Sequence, residues 1–255
     1  MCIFSQTVEE VSTTSIFARS NNGNQFLVYR MTYAAVDELA MVLPLRVPAD
    51  PEEDAVRFIN LERYPIFFID MMVGYPTLAS DIPDTLDLDF SPLVVHDVGD
   101  FEASFVPKFN DFDRLDERFR ISTEVWSKLP AYNDFGFAVF KLKGGSQLRT
   151  VHPMAFEFPC RNPNLLYFPT IHIHDGQLHS DAHFDHMLIC QVTPELVGYV
   201  DGWRPSDDKA SPFMDLSRSD CIVDGNARCW YRGLTGRLEN KDTLVGVNGG
   251  VPKAV

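Results

Sequence analysis

The chain has 255 residues, 45% of them hydrophobic and 23% charged, which is an ordinary balance for a globular protein. Its formal net charge of −14 argues against a nucleic-acid partner, because phosphate backbones bind basic surfaces, and against a polybasic membrane contact. The apolar runs are too short for a transmembrane helix, and no basic stretch precedes a hydrophobic segment at the N-terminus. We therefore predict a cytoplasmic protein whose five cysteines are reduced.

The N-terminal part is predicted to be β-structure. Runs rich in β-branched and aromatic residues predict strands at residues 3–11, 15–18, 25–33 and 40–47. Asn21-Asn22-Gly23-Asn24 has the composition of a hairpin turn before the third of these strands.

Two helices are predicted next. Asp50 can cap a helix whose first turn contains Pro51, and Glu53 completes a capping box, so about three helical turns are expected from there. A second helical piece is predicted at residues 65–73, and one or two more short helices at residues 110–129.

The C-terminal half is predicted to be rich in strands. Gly144-Gly145 separates two strand-like runs and predicts a tight hairpin. Further extended runs cover residues 165–174, 177–179, 184–192 and 228–234.

These elements predict one α+β domain over residues 1–255. We expect a β-rich domain of mainly antiparallel sheets, either a sandwich or a partly open barrel, with two to four short helices. An irregular acidic surface loop is predicted at about residues 76–92, and a frayed tail at about residues 240–255.

The candidate site is a cluster of histidines. Five of the seven histidines lie within residues 172–186, where an even spread would place fewer than one. Asp175-Gly176 is a strong signal for a two-residue hairpin turn, which would place His172 opposite His179. Residues two apart on a strand share a face, so His172, His174 and His179 are predicted to converge on one metal ion.

Nearby residues complete the predicted site. His186, or alternatively His183, is a candidate fourth ligand, and Asp185 is the carboxylate that would orient a metal-bound imidazole. A set of nitrogen ligands suits a transition metal such as Cu, Fe or Zn better than Ca or Mg. The spacing H-x-H-x4-H resembles the first metal motif of the cupins, with His179 where those proteins commonly carry Glu; the resemblance implies oxygenase, isomerase or binding chemistry.

A second candidate site lies at the N-terminus. Cys2 follows the initiator Met1, whose removal would expose a residue that is both thiol and amine. With Phe17-Ala18-Arg19, this start resembles the choloylglycine-hydrolase group of N-terminal-nucleophile amidases. The resemblance implies that Cys2 attacks an amide while Arg19 holds the nucleophile or the substrate charge.

We predict a metal-dependent enzyme, an oxidoreductase or oxygenase with a mononuclear histidine-bound metal, acting on a small molecule or peptide. Zinc in the same site would favour hydrolysis instead. The alternatives are an amidohydrolase that uses Cys2, and a metal-binding protein without catalysis.

Overall fold

The computed structural model describes residues 3–76, 78, 101–192 and 202–246. Within these ranges the strands are β1 (Ile3–Phe4), β2 (Glu10–Asn21), β3 (Asn24–Ala35), β4 (Leu39–Leu45), β5 (Arg57–Asn60), β6 (Phe101–Val106), β7 (Gly136–Leu142), β8 (Gly145–Thr150), β9 (Met154–Pro159), β10 (Leu165–Phe168), β11 (Asp181–Gln191), β12 (Arg204–Lys209), β13 (Arg228–Glu239) and β14 (Thr243–Gly246). The α-helices are α1 (Phe67–Val73) and α2 (Thr123–Ser127), and 3-10 turns cover Phe109–Arg114, Glu117–Phe119 and Pro130–Tyr132.

The strands form three sheets. A large eight-stranded sheet has the order β12-β13-β11-β2-β3-β9-β5, with β8 also paired to β3. A four-stranded sheet has the order β1-β4-β7-β6, and β10 pairs with β14 in a two-stranded sheet. The pairings are antiparallel except that of β2 with β11. The predicted β-rich domain of mainly antiparallel sheets with short helices is confirmed.

The two larger sheets pack face to face over a common core. Alternate residues explain this arrangement, because successive side chains of a strand point to opposite faces. Leu27 and Tyr29 of β3 meet Met41 of β4 and Phe140 of β7 between the sheets. The four-stranded sheet is also covered on its other face, so β4 is buried at every position and its sequence is apolar throughout.

Further layers cover the outer faces of both sheets. Helix α1 and residues 210–223 pack on the large sheet, with Phe67 and Met214 among the buried residues. The turns and helix of residues 109–135 pack on the four-stranded sheet around Trp126 and Phe137. The described part of the chain contains no helix that is long and apolar enough to cross a membrane.

Among the local predictions, one turn is confirmed, whereas one helix and one hairpin are wrong. The turn at Asn22-Gly23 joins β2 to β3 as predicted, with both residues at positive φ. The predicted helix from Asp50 is replaced by turns and β5, which pairs with β9. The predicted hairpin at Gly144-Gly145 is also wrong, since β7 and β8 belong to different sheets.

Two predicted segments lie partly outside the described residues. Of the acidic loop predicted at residues 76–92, only residues 76 and 78 are described, and of the tail at 240–255 only residues 240–246. Residues 240–242 lead into β14, and residues 243–246 form β14, which pairs with β10.

Candidate functional site

The structure brings three of the predicted histidines together in a stack. The rings of His172 and His174 have centroids 5.2 Å apart with planes 17° apart, and those of His172 and His186 are 5.0 Å and 19° apart. Phe184 lies against His172 at 4.2 Å, and Phe4 of β1 meets His174 edge-on at 5.5 Å. The stack therefore lies between β11 and the N-terminal strand.

Burial determines the charge of these rings. The Nε2 atoms of His172, His174 and His186 are all buried without a hydrogen-bond partner. Desolvation lowers the pKa of His174 to about 4 and that of His172 and His186 further. All three imidazoles are consequently neutral at pH 7.

His179 does not join this stack. Its side chain is 60% exposed, and its Nε2 lies 2.9 Å from Oδ2 of Asp175. Residues 169–174, which we call the histidine segment, do not form a strand with 177–179; their one β-bridge joins Ile173 to Ile3. The predicted Asp-Gly hairpin is absent because the backbone of this segment bonds elsewhere.

Asn240 supplies the bonds that replace the hairpin ladder. Its Oδ1 accepts from the backbone N–H of His172 at 2.7 Å, and its Nδ2 donates to the carbonyls of His172 and His179 at 2.9 and 3.0 Å. Asn240 lies 68 residues from His172 along the chain. No local pattern in the sequence indicates this contact, so sequence reasoning missed it.

Asp185 lies beside the stack, on β11. One carboxylate oxygen accepts from the backbone N–H of Thr13 at 2.6 Å, and the other is 3.3 Å from Nδ1 of His186. Thr13 has a φ of 51°, which is rare for a β-branched residue, at a register shift in β2. Asp185 thus holds a strained bulge at the point where β2 meets β11.

His183, the alternative fourth ligand, is exposed on β11 and lies outside the stack. Two polar side chains elsewhere make other contacts: His152 packs on Phe101 with ring centroids 4.6 Å apart, and Glu157 forms an ion pair with Arg57 at 3.0 Å. None of these side chains is stacked with the three buried imidazoles.

The N-terminal candidate is only partly described. Cys2 lies outside the described residues. Arg19 donates through Nε to the carbonyl of Ile222 at 2.6 Å and lies over the ring of Phe26, so it fastens the loop at residues 221–222 to β2. Burial lowers the pKa of Arg19.

The arrangement of the stack does not match the predicted metal site. Lone pairs in parallel stacked rings run side by side instead of converging on one point. Within residues 3–76, 78, 101–192 and 202–246, no group of three or more His, Cys, Asp or Glu is placed to hold a metal ion. That the chain carries a transition metal as a cofactor stays a prediction of the sequence.

Comparison with known proteins identifies the fold. No family model matches the chain. A crystal structure of a mutated baculovirus P35 after caspase cleavage superposes with a TM-score of 0.50, at 15% sequence identity, over 92% of this chain and 100% of that one. The chain has a P35-like fold.

Two other P35 structures match less well. A second mutated baculovirus P35 after caspase cleavage gives a TM-score of 0.43 at 14% identity, over 93% of this chain and 98% of that one. The caspase-8/P35 complex gives 0.44 at 15% identity, over 92% and 96%.

The P35-like fold corrects the functional predictions. The predicted metal-dependent oxidoreductase is wrong, since the fold is that of a protein cut by a caspase and the described histidines form no metal cluster. The two alternative functions, an amidohydrolase using Cys2 and a non-catalytic metal-binding protein, are overturned as roles of the chain by the same fold, and the metal cofactor as such stays a prediction. The predicted partner, a small-molecule or peptide substrate, is wrong because the partner that appears with this fold is a protease.

Proposed function

We propose that this protein is a caspase inhibitor, which a caspase recognises and cuts and which stays bound to that caspase. The observation that carries the proposal is the superposition on cleaved baculovirus P35, which spans 92% of this chain and the whole of the other. A match of this extent concerns most of the chain and not one local motif.

The sequence of this chain offers a suitable segment for cleavage. Caspases cut after aspartate, and the stretch between Pro76 and Pro92 contains Asp81, Asp84, Asp87 and Asp89. This stretch, predicted to be a surface loop, follows α1 and lies almost wholly outside the described residues. Exposed loops are where proteases cut folded proteins, so this stretch is the proposed cleavage region.

The described framework suits the role of an inhibitor. Helix α1 ends at Val73 on the large sheet, and Phe101, the first described residue after Leu78, begins β6 at the edge of the four-stranded sheet. Both ends are fixed by core contacts, because Phe101 packs on Phe140 at 5.5 Å and Met71 is fully buried. A segment held between fixed ends loses less conformational entropy on binding than a free peptide does.

Inhibition and cleavage test the proposal together. The full chain is mixed with a purified caspase at rising molar ratios, and residual activity is read with a fluorogenic peptide that ends in Asp. We expect activity to fall in proportion to the amount of chain added, and intact-mass analysis to show one cut after an aspartate of residues 76–92.

Variants then separate inhibition from simple degradation. Replacing the mapped aspartate with Ala is expected to abolish both the cut and the inhibition, whereas Asp208→Ala, at an exposed position of β12, is expected to change neither. Full caspase activity in the presence of about a ten-fold excess of the wild-type chain would refute the proposal. So would cleavage that leaves the caspase active.

The proposal also concerns location. An inhibitor has to share a compartment with its protease, and caspases act in the cytoplasm of the cell. We therefore propose a cytoplasmic location, in agreement with the prediction from the sequence.

A further inference from the structure

The histidine segment, residues 169–174, is buried although it belongs to no sheet. Its residues from Pro169 to Ile173 are buried, and one isolated bridge, between Ile173 and Ile3, is its only strand-like pairing among the described residues. Buried backbone groups need hydrogen-bond partners, so this segment depends on partners from outside a ladder. Those partners come from two directions.

On one side the partners are side chains near the C-terminal strand. Asn240 bonds both backbone groups of His172, as described above. Asp242 accepts from the backbone N–H groups of Thr170 and Ile171 at 2.8 and 3.0 Å. The hydroxyl of Thr170 also donates to the carbonyl of Lys241 at 2.8 Å.

Asp242 is itself fixed by two tyrosines. The hydroxyls of Tyr132 and Tyr167 both donate to its Oδ2 at 2.6 Å, so the carboxylate accepts four hydrogen bonds in all. Replacing any donor would leave a buried acceptor short of a partner, which is costly in a protein interior. We call residues 240–243, with these contacts, the C-terminal clasp.

On the other side the partner is the N-terminal strand. The N–H of Phe4 donates to the carbonyl of Ile173 at 3.1 Å, and that of Val8 donates to the carbonyl of His174 at 3.2 Å. Between them, the N–H of Ser5 donates in the opposite direction, to Ala40 of β4, at 2.9 Å. The amides of Phe4 and Val8 are therefore bonded to the histidine segment, whereas the amide of Ser5 is bonded to β4.

We propose that the C-terminal clasp holds the histidine segment against the N-terminal strand, so that the bonds of Phe4 and Val8 to this segment and the bonds of the clasp open as one unit. The clasp fixes Thr170, Ile171 and His172, and the next two residues carry the carbonyls that bind Phe4 and Val8. Loss of the clasp frees those carbonyls without touching β4 or β7. Coupling between two sites is reciprocal, so a change in β1 is felt at the clasp.

Hydrogen exchange of the full chain tests the coupling. In Asn240→Ala we expect the amides of Phe4 and Val8 to exchange about ten-fold faster, the effect of losing a hydrogen bond or two, while the amide of Ser5 keeps its rate. The control is Asn60→Ala in β5, which removes a side-chain bond to the N–H of Glu62 and none of the bonds of the clasp. It is expected to change none of these three amides.

A milder substitution next to the clasp and a substitution in β1 complete the test. Thr170→Val removes the bonds of the hydroxyl to Lys241 and Thr243 but keeps the backbone bond to Asp242, and it is expected to act in the same direction by a few-fold. Ile3→Val, a small cavity in the buried strand β1, is expected to speed exchange of the His172 amide by a few-fold.

Three results would overturn the proposal. One is that the amides of Phe4 and Val8 keep their rates in both clasp variants. A second is that exchange of the amides of Ser5, β4 and β7 speeds up as much as exchange of the amides of Phe4 and Val8. The bonds to the histidine segment would then open only with the whole molecule. An unchanged His172 amide in Ile3→Val would count against it equally, since coupling has to run both ways.

Discussion

Acid should destabilise this protein through its stacked histidines. An unfolded histidine has a pKa near 6.5, whereas burial lowers the folded-state pKa of His174 to about 4 and that of His172 and His186 further. Below pH 6.5 these histidines therefore bind protons in the unfolded chain but not in the folded chain, and stability falls as the pH falls. The loss levels off for His174 once the pH passes its folded pKa.

The size of the effect follows from these pKa directions. Each histidine that stays neutral in the folded state contributes about 1.4 kcal/mol of lost stability per pH unit below 6.5, or about 2 kcal/mol at pH 5. All three histidines act in the same direction, so the combined loss at pH 5 is on the order of a few kcal/mol, a sizeable part of the stability of many domains.

Urea unfolding at pH 7, 6, 5.5 and 5, followed by circular dichroism, measures this dependence. In His186→Phe, which keeps a buried aromatic ring but cannot titrate, we expect the slope with pH to fall by about a third. His179→Phe is the comparison: its side chain is 60% exposed, so we expect this substitution to change the slope much less than His186→Phe does. A wild-type slope below about 1.4 kcal/mol per pH unit, or an unchanged slope in His186→Phe, would refute the reasoning.

Three further substitutions test the fold. Phe140→Ala empties a fully buried site between the two large sheets and should cost about 3–5 kcal/mol in urea unfolding; a loss below about 1 kcal/mol would contradict the packing. Tyr64→Phe removes the hydroxyl that donates to Asp70 at 2.7 Å and accepts from the N–H of Asp215 at 2.8 Å, so thermal unfolding should show a loss of about 1–3 kcal/mol, and none if that link is absent. Gly23→Ala meets no steric contact but forces a side chain to a φ of 88°, so about 1–2 kcal/mol should be lost; a gain in stability would exclude the turn.

The sequence predicts the strands well because their side chains alternate between two surroundings. In β3, Leu27 and Tyr29 face the core between the sheets while Phe26 and Val28 face α1, and the run of β-branched and aromatic residues reflects burial on both sides. The turn at Asn22-Gly23 is predictable for a different reason, since positive φ suits those two residue types.

The helix predicted from Asp50 fails because local capping signals compete with distant packing. Phe58 lies 5.8 Å from Phe140 and 6.0 Å from Phe156, and β5 pairs with β9, about a hundred residues away. Neither contact leaves a mark in the sequence near Asp50. Burial in the core and pairing at the sheet edge outweigh a capping box worth about 1 kcal/mol.

The structure brings together some of the histidines that the sequence places close to one another, although their role as metal ligands stays a prediction. The histidine spacing correctly brings His172 next to His174, but the position of His179 depended on a hairpin ladder that Asn240 replaces. His186, expected as support from the next strand, does join the stack. Function was beyond the reach of these patterns, because a cluster of histidines has the same sequence whether its rings converge on an ion or stack as neutral core.

We propose that a caspase binds this chain and remains bound after cutting it. Size-exclusion chromatography of an equimolar mixture, with intact-mass analysis of each peak, measures this directly. We expect one peak containing caspase together with a chain cut once, and no free active caspase. An uncut chain, or cut fragments that elute apart from an active caspase, would contradict the proposed inhibition.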